Sequence, residues 1–250
     1  MTSIKAAREL SAPVEDYLKV IFEVETSDGV AGTNEIAAAL GVAPASVSGM
    51  IRRLAEQGWI AHERYRGVRL TRAGRRAALR TIRRHRIIES YLTTALGYPW
   101  DRVHDEAERL EHAASDELID RMAAAIGDPL TDPHGAPIPT REGTLVEEPV
   151  ISLASVAVGQ RVRIQRVGDR DGEQLRYLAE LGITPGRRVE VVARAPFDGP
   201  IDLRVGREIR SIGPALAKQI AVRGEGGLTS VAFLGMTKRD LHRSLPHSSG

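Results

Sequence analysis

The sequence contains no cysteine, and this absence excludes disulfide bonds, thiolate metal ligands and a cysteine nucleophile. Any bound metal must therefore be held by oxygen atoms and imidazole nitrogens. The sequence also lacks an apolar run approaching the roughly eighteen residues that a membrane helix needs, and its first segment, MTSIKAAREL, lacks the apolar region of a signal peptide. We therefore expect a cytoplasmic protein with no membrane partner. A length of 250 residues allows two or three small domains.

The net charge of +2 conceals a strong asymmetry along the chain. Residues 50–86 contain twelve arginines and two acids, whereas residues 101–150 contain thirteen acids and four arginines. A basic block of this kind is typical of a surface that binds a polyanion, and an acidic block suits a bound cation. The alternative is that the two blocks are solvated faces that attract each other.

Helical periodicity followed by a strand pair marks the N-terminal region. The apolar spacing predicts helices at 14–25, 33–40 (with Thr33 as N-cap) and 44–58, and a hairpin from 59–62 and 68–71. This order predicts a winged helix-turn-helix DNA-binding domain over residues 1–76. The alternative is a winged helix that makes only protein contacts.

In such a domain the second helix of the motif enters the major groove of double-stranded DNA. The candidate DNA-binding residues are Ala43, Pro44, Ala45, Ser46, Ser48, Gly49, Arg52, Arg53 and Arg66. The small side chains allow close approach of the backbone, so we expect specificity to depend partly on thymine methyl contacts and on DNA shape.

The segment 103–117, VHDEAERLEHAASDE, is the main candidate for metal binding. Wound as one α-helix, it places a stripe of potential donors beside an apolar stripe, because residues three and four apart are neighbours on a helix. The members of this donor stripe are His104, Glu108, Glu111 and Ser115, with His112 beside them. The alternative is an acidic surface helix with incidental histidines.

Further along, a long helix is predicted at 71–96, with His85 and Glu89 as a second donor pair. It begins a helical domain over residues 77–145. The proline-rich stretch 128–149 predicts irregular structure, and alternating strands predict a small β-barrel over residues 150–224, followed by a flexible tail at 235–250. The predicted fold is therefore mainly α with a small C-terminal β-barrel.

The motifs RHRIIESYL at 84–92, VHDEAERLEH at 103–112 and DPHGAPIP at 132–139 occur in this order. Together with the predicted domain order, they resemble the diphtheria toxin repressor and MntR family of metal-dependent transcriptional repressors. The resemblance implies that the helical domain binds metal and dimerises, and that the barrel is FeoA-like, with an SH3-like fold. It also implies a homodimer that binds a palindromic operator, two metal ions per subunit, no enzymatic activity and no small-molecule substrate.

The resemblance also implies two metal sites. The primary site takes Asp16, Glu108, Glu111 and His112, and the ancillary site takes His85, Glu89, His104, Asp171 and Gln174. Iron-sensing relatives have methionine and cysteine where Asp16 and Glu108 stand, so the resemblance indicates Mn(II), which hard carboxylates favour. Fe(II) is the alternative, since Lys19 stands where some manganese sensors carry a glutamate. This lysine argues against a closely paired dinuclear site.

Two functions of other kinds compete with a metal-dependent repressor. The histidines and carboxylates allow a metallohydrolase, but no HExxH motif occurs and an arginine-rich winged helix has no use in hydrolysis. A winged-helix regulator that answers to an organic ligand is the other alternative, and the paired metal donors argue against it.

Overall fold

The computed structural model of the protein describes residues 10–63, 67–146 and 148–224. The chain divides into two compact units. The first unit takes its residues from Met1–Tyr91, Asp105–Leu130 and Ile138–Val146, and the second from Leu92–His104, Thr131–Pro137 and Glu147–Gly250. Arg66 and the predicted tail at 235–250 lie outside the described residues. No helix in the described ranges is long and apolar enough to cross a membrane.

The first unit contains, wholly or for the most part, six helices and a hairpin. They are α1 (Ala12–Asp28), α2 (Thr33–Leu40), α3 (Pro44–Glu56), β1 (Ile60–Glu63), β2 (Gly67–Leu70), α4 (Arg72–Leu96), α5 (Val103–Leu110) and α6 (Asp116–Ala125). Strands β1 and β2 pair in antiparallel register, with Ile60 opposite Leu70. The predicted helix-turn-helix and wing are therefore present.

A single apolar core holds the DNA-binding part of this unit together. Leu18 and Ile21 of α1, Ile36 of α2 and Leu54 of α3 are fully or almost fully buried in it. These residues recur at helical spacing, so each helix turns one apolar stripe inward. Helix α2 begins differently from our prediction, because Gly32 is the N-cap and Thr33 is the first helical residue.

Helix α4 is one continuous element of 25 residues, close to the predicted span. Thr71 starts it, since its hydroxyl accepts a hydrogen bond from the backbone amide of Gly74 at 3.1 Å. A Cβ atom at Gly74 would lie 2.0 Å from the carbonyl oxygen of Trp59. Glycine is thus required there by close packing of the helix start.

The acidic segment does not form the single helix that we predicted over 103–117. Helix α5 ends at Leu110, residues 111–113 form a turn, and α6 starts at Asp116. Ser115 is the N-cap of α6, and its side chain accepts from the amide of Leu118 at 3.2 Å. The serine therefore starts a new helix, with acids in its first turn, and does not extend a donor stripe.

The second unit is built on an antiparallel sheet. Its elements are β3 (Ile151–Ser152), a 3-10 helix (Leu153–Ser155), β4 (Arg161–Arg166), α7 (Gly172–Glu180), β5 (Arg188–Arg194), β6 (Ile201–Val205), β7 (Glu208–Ile212), α8 (Pro214–Lys218) and β8 (Ala221–Gly224). The core takes Val162 and Ile164 from β4, Leu203 from β6 and Leu175 from α7. Alternate residues of β4 and β6 face this core, as expected for strands with one buried face.

The predicted β-barrel is wrong. The six strands form one open sheet in the order β3-β8-β4-β5-β6-β7, and its two outer strands do not pair with each other. Closure requires strands long enough to tilt and meet around the barrel. Strand β3 has only two residues, which leaves too little backbone to join β7.

Candidate metal centre

Four segments of the first unit bring the predicted donors together. Helix α1 carries Asp16, helix α4 carries His85, helix α5 carries Glu108, and the turn after α5 carries Glu111 and His112. The end of α5 at Leu110 matters here, because the following turn places Glu111 in the interior, where it has no exposed surface.

Asp16, Glu111 and His112 form a compact group of donors. Each offers one ligand-type atom, and these atoms lie within 4.8 Å of one another. The imidazole Nε2 of His112 is 2.8 Å from Asp16 Oδ1 and 3.7 Å from Glu111 Oε1. The group therefore joins the first helix of the DNA-binding domain to the turn that follows α5.

His112 is oriented by a residue that our sequence reasoning missed. Its Nδ1 donates to Glu15 Oε2 at 2.7 Å, and the other oxygen of Glu15 accepts from Arg84 at 3.3 Å. Glu15 and Arg84 are both buried. A carboxylate on the second nitrogen of a metal-binding histidine fixes the ring and its tautomer. The available signal was the position of Glu15 beside Asp16, on a helix otherwise read only for its apolar stripe.

The ammonium of Lys19 lies among three of the predicted donors: Glu108, Glu111 and His85. Its ammonium donates to Glu108 Oε1 at 2.6 Å and to both carboxylate oxygens of Glu111 at 3.0 Å. It also lies 3.3 Å from Nδ1 of His85. The ring of His85 is in turn 2.6 Å from Glu111 and 3.0 Å from Glu89, both through its nitrogens. The donors of α4 and α5 therefore surround a lysine ammonium.

The electrostatics of this cluster follow from burial and from the density of carboxylates. Burial raises the pKa of Asp16, and the negative charges of Glu111 and Glu108 raise it further, against the lowering effect of His112. Burial lowers the pKa of His85, but hydrogen bonds to Glu111 and Glu89 outweigh it and raise that pKa to about 10. The carboxylates likewise outweigh burial at His112, whose pKa is raised.

The donor set fits a divalent cation. Asp16, Glu111 and His112 offer carboxylate oxygen and imidazole nitrogen, which suit hard or borderline divalent ions such as Mn(II) and Fe(II). Burial and the negative charges of Glu111 and Glu108 both raise the pKa of the Asp16 carboxyl, as expected where carboxylates converge. No sulfur donor belongs to the group.

The remaining predicted donors, His104, Asp171 and Gln174, belong to the second unit. His104 belongs to the second unit and is half-buried. Asp171 is the N-cap of α7, accepting from the amides of Glu173 and Gln174. The side-chain amide of Gln174 donates to Asp171 at 2.9 Å, and both residues belong to the second unit. Asp171 thus has a structural role at the start of its helix.

A donor group that we did not predict lies in the second unit. Asp132, His134 and Asp169 each offer a ligand-type atom, and these atoms lie within 4.8 Å of one another. The Nε2 of His134 donates to the carbonyl of Trp100 at 2.7 Å, which directs Nδ1 away from that carbonyl. His134 is fully buried. Both aspartates border turn residues, and their separation along the chain hid the group from spacing arguments.

The tight turn between these donors depends on glycine. Asp132 Oδ1 accepts from the amides of His134 and Ala136, both at 2.9 Å. Gly135 has a φ of 87°, and a Cβ there would lie 1.9 Å from the carbonyl oxygen of Gln165. The DPHGAP sequence therefore folds into a turn that only glycine allows, with Asp132 and His134 held against β4.

The predicted DNA-contacting surface is exposed on α3 and just before it. The side of α3 formed by Val47, Ile51 and Leu54 is buried. Eight of the nine candidates are described, and all eight are exposed: Ala43, Pro44, Ala45, Ser46, Ser48, Gly49, Arg52 and Arg53. The exposed face of this helix is therefore small at its N-terminal end and cationic further along.

Comparison with known proteins identifies the family. Models of the iron dependent repressor N-terminal DNA binding domain, the iron dependent repressor metal binding and dimerisation domain, and the FeoA domain match residues 9–68, 71–140 and 151–224. The diphtheria toxin repressor of Corynebacterium diphtheriae is 30% identical over 206 residues, 78% of this chain and 90% of that protein. The chain belongs to the iron-dependent repressor family.

Other members of the iron-dependent repressor family agree in sequence and structure. The iron-dependent repressor IdeR of Mycobacterium tuberculosis is 31% identical over 197 residues, 73% of this chain and 85% of that protein. A solved manganese-dependent transcriptional repressor in complex with manganese has 40% identity and a TM-score of 0.78, covering 85% of this chain and 100% of that one. The protein is thus a metal-dependent, DNA-binding transcriptional repressor and not an enzyme, which removes the metallohydrolase alternative.

Proposed function

We propose that this family member is a Mn(II)-dependent repressor that binds a palindromic operator as a homodimer in the cytoplasm. The observation that carries the proposal is the convergence of Asp16 of α1 with Glu111 and His112 of the turn after α5. These three donors connect the DNA-binding domain to the helices of the metal-binding and dimerisation domain. Control of DNA binding by metal needs a connection of this kind.

The donors act by controlling the position of α1. The negative charges of Glu111 and Glu108 raise the pKa of Asp16 and disfavour its charged carboxylate beside α5 and the following turn. A divalent cation supplies the positive charge that offsets this repulsion. Glu15 of α1, itself held by Arg84 of α4, fixes the ring of His112 beside Asp16, so the position of α1 determines whether the donors converge. A fixed α1 fixes α3, which packs on the same core.

Operator binding requires that α3 be held in one position in each subunit. In a dimer, two such helices reach successive major grooves only if their separation matches one helical turn of DNA, about 34 Å. The effect of the metal is a population shift toward that arrangement, limited by the difference in metal affinity between the two states.

Several facts favour manganese over iron. The primary donors are carboxylates and one imidazole, and none is a sulfur atom, which favours a hard ion. The manganese-bound repressor described above is 40% identical, against 30% and 31% for the two relatives with diphtheria toxin repressor and iron-dependent names. Fe(II) accepts the same donors, so the two ions must be compared directly.

The proposed second ion has two candidate donor sets. One is the predicted set of His85, Glu89, His104, Asp171 and Gln174. The other is the group of Asp132, His134 and Asp169, which we favour because its three donors belong to one unit and lie within 4.8 Å of one another, whereas the predicted set is divided between two units. His134→Ala should remove one ion per chain in equilibrium dialysis, and Gln174→Ala should remove none. The reverse result supports the predicted ancillary set.

The decisive experiment follows operator binding during titration with Mn(II) and anaerobic Fe(II). Chelator-treated protein is titrated against DNA upstream of metal transporter genes, with wild type and Asp16→Ala compared in parallel. We expect Mn(II) to switch on binding by the wild type at lower free concentration than Fe(II), and Asp16→Ala to lose the response. Asp105→Ala is the matched control, because Asp105 is an exposed carboxylate on α5.

Each outcome has a defined meaning. Equal operator binding with and without either ion contradicts a metal-responsive repressor. A stronger response to Fe(II) replaces manganese with iron and keeps the mechanism. Full manganese dependence in Asp16→Ala removes Asp16 from the mechanism, whatever the metal.

A further inference from the structure

Lys19 differs from an ordinary surface lysine in both place and partners. It is only 7% exposed, although it carries a charge. Its ammonium contacts Glu108 Oε1 at 2.6 Å, both oxygens of Glu111 at 3.0 Å and the ring nitrogen of His85 at 3.3 Å. All three partners are predicted metal donors.

A buried ammonium of this kind requires full compensation, since removing a charge from water is costly unless it is paired and hydrogen-bonded. Glu108 and Glu111 provide that compensation directly. The same oxygens are the atoms that a divalent cation placed among Glu108, Glu111 and His85 would use. Lys19 and a cation at that position therefore exclude each other by charge and by space.

The donors that Lys19 does not fill provide a position for one metal ion. Asp16, Glu111 and His112 form a second group of donors, in which His112 Nε2 lies 2.8 Å from Asp16. Glu111 is common to both groups, bonded to Lys19 through both oxygens and 3.7 Å from His112. The cluster is thus arranged as two adjacent cation positions, one of them filled by the side chain of Lys19.

We propose that Lys19 is a built-in cation that fills the position between Glu108, Glu111 and His85 and restricts this cluster to a single metal ion. The inference rests on the proposed metal-dependent function. Lys19 also ties α1 to α5 without metal, so its ammonium limits how far the first helix departs when the ion is lost. Lys19 is therefore a positioning residue that determines how many ions the cluster takes.

The test replaces Lys19 with a neutral side chain of similar length. Lys19→Met, wild type and the control Lys218→Met, which alters an exposed lysine in α8, are compared as full-length chains. Equilibrium dialysis counts bound Mn(II), and electron paramagnetic resonance detects exchange coupling between neighbouring Mn(II) ions. We expect Lys19→Met to bind one more ion per chain than wild type and to show a coupled pair, and Lys218→Met to match wild type.

An unchanged ion count in folded Lys19→Met, with isolated Mn(II) signals, overturns the proposal and reduces Lys19 to a structural ion pair. If Lys19→Met or the shorter Lys19→Gln is unfolded without metal, the proposal expects Mn(II) to restore its circular dichroism, because an ion replaces the missing ammonium. Unfolding that persists in Mn(II) overturns it.

The two proposals fail separately. The manganese-dependent repressor hypothesis fails when operator binding by the wild type is the same with and without Mn(II). Failure of the Lys19 inference appears only in the comparison of Lys19→Met with a wild type whose Mn(II) binding depends on Asp16.

Discussion

His85 is a buried residue whose charge depends on its neighbours. Burial acts to lower its pKa, yet the carboxylates of Glu111 and Glu89 raise that pKa to about 10. The ring is therefore protonated at neutral pH in the metal-free protein. A protonated nitrogen is not a metal ligand, so an ion that uses His85 or His112 must displace protons. Metal response and pH are consequently coupled in this cluster.

The raised pKa of His85 also makes the stability of the metal-free protein depend on pH. A histidine has a pKa near 6.5 in an unfolded chain, so the native state binds the proton more tightly than the unfolded state does. Its stabilising contribution is complete below about pH 6.5 and is lost as pH rises toward about 10. We expect the free energy of unfolding of chelator-treated protein to fall between these limits, as measured by urea denaturation.

His85→Gln is the comparison for this pH dependence. The glutamine has no proton to lose, so the variant should be less stable than wild type near neutral pH and should lose less stability as pH rises. Equal slopes in the two proteins would show that another group governs the alkaline loss.

Single residues also mark where prediction from sequence reaches its limit. Spacing alone indicated Glu108, Glu111 and His112 as donors, because helical neighbours can be counted along the chain. Glu15 was missed because α1 was read for its apolar stripe, and Lys19 was noted only as standing where some manganese sensors carry a glutamate. Their importance depends on which side chains of α4 and α5 pack against α1, and a single sequence does not contain that information.

At the scale of elements, the break between α5 and α6 shapes the candidate metal centre. A continuous helix over 103–117 would keep Glu111 and His112 on a regular helical face. The turn at 111–113 instead places Glu111 in the interior and His112 beside Asp16. The N-cap at Ser115 sets where the second helix starts.

Ser115→Ala should therefore destabilise the protein by about 1 kcal/mol, the usual effect of losing a side-chain N-cap. The physical reason is that the amide of Leu118 loses its acceptor at 3.2 Å. Urea unfolding of the chelated protein measures the effect, and Ser46→Ala, on the exposed face of α3, is the control and should change stability little. A Ser115→Ala protein as stable as wild type would mean that the first turn of α6 is held by packing alone.

Most elements were predictable from periodicity and turn signals, and the ones that were missed are short. The 25-residue α4 and the strands β4 to β7 have enough periodicity to be seen in sequence. Strands β3 and β8 and helix α8 have two, four and five residues, too few to show a period. The predicted barrel failed for the same reason, since closure depends on the length of the outermost strands and not on the alternation within any one of them.

At the scale of the whole molecule, the distribution of charge separates the two tasks of the protein. The arginines of residues 50–86 include the exposed Arg52 and Arg53 of α3, while most acids of 101–150 lie in or near α5 and α6. Positive charge on a DNA-binding face releases counterions from the phosphates it contacts. Operator affinity should therefore depend strongly on salt.

Arg52→Gln and Arg53→Gln should each weaken operator binding and reduce the slope of log affinity against log salt by about 1 for each phosphate that the variant no longer neutralises. The measurement is fluorescence anisotropy of labelled operator over a range of salt in saturating Mn(II). Arg121→Gln is the matched control, because Arg121 is exposed on α6 and pairs with Glu117 at 2.8 Å. A slope unchanged in both α3 variants would assign these arginines to base or shape recognition.

The order of domains was the most predictable property of the chain. The helix-turn-helix, the metal-donor motifs and the C-terminal strands indicated the repressor family from the sequence alone. Family comparison confirms that resemblance. Which metal acts, and which side chains hold it, stay predictions, because they depend on contacts among residues far apart in sequence.

The open sheet of the second unit bears on the tendency of the protein to aggregate. Within the part of the chain that the structure describes, β7 has a hydrogen-bonded neighbour on one side only. A bare strand edge is a template on which another chain can add its own strand and start aggregation. Strand β7 is short and carries Glu208 and Arg210, which form an ion pair with each other. An incoming strand would have to disrupt and dehydrate these charges. Pairing of another chain with the open edge at β7 is therefore disfavoured.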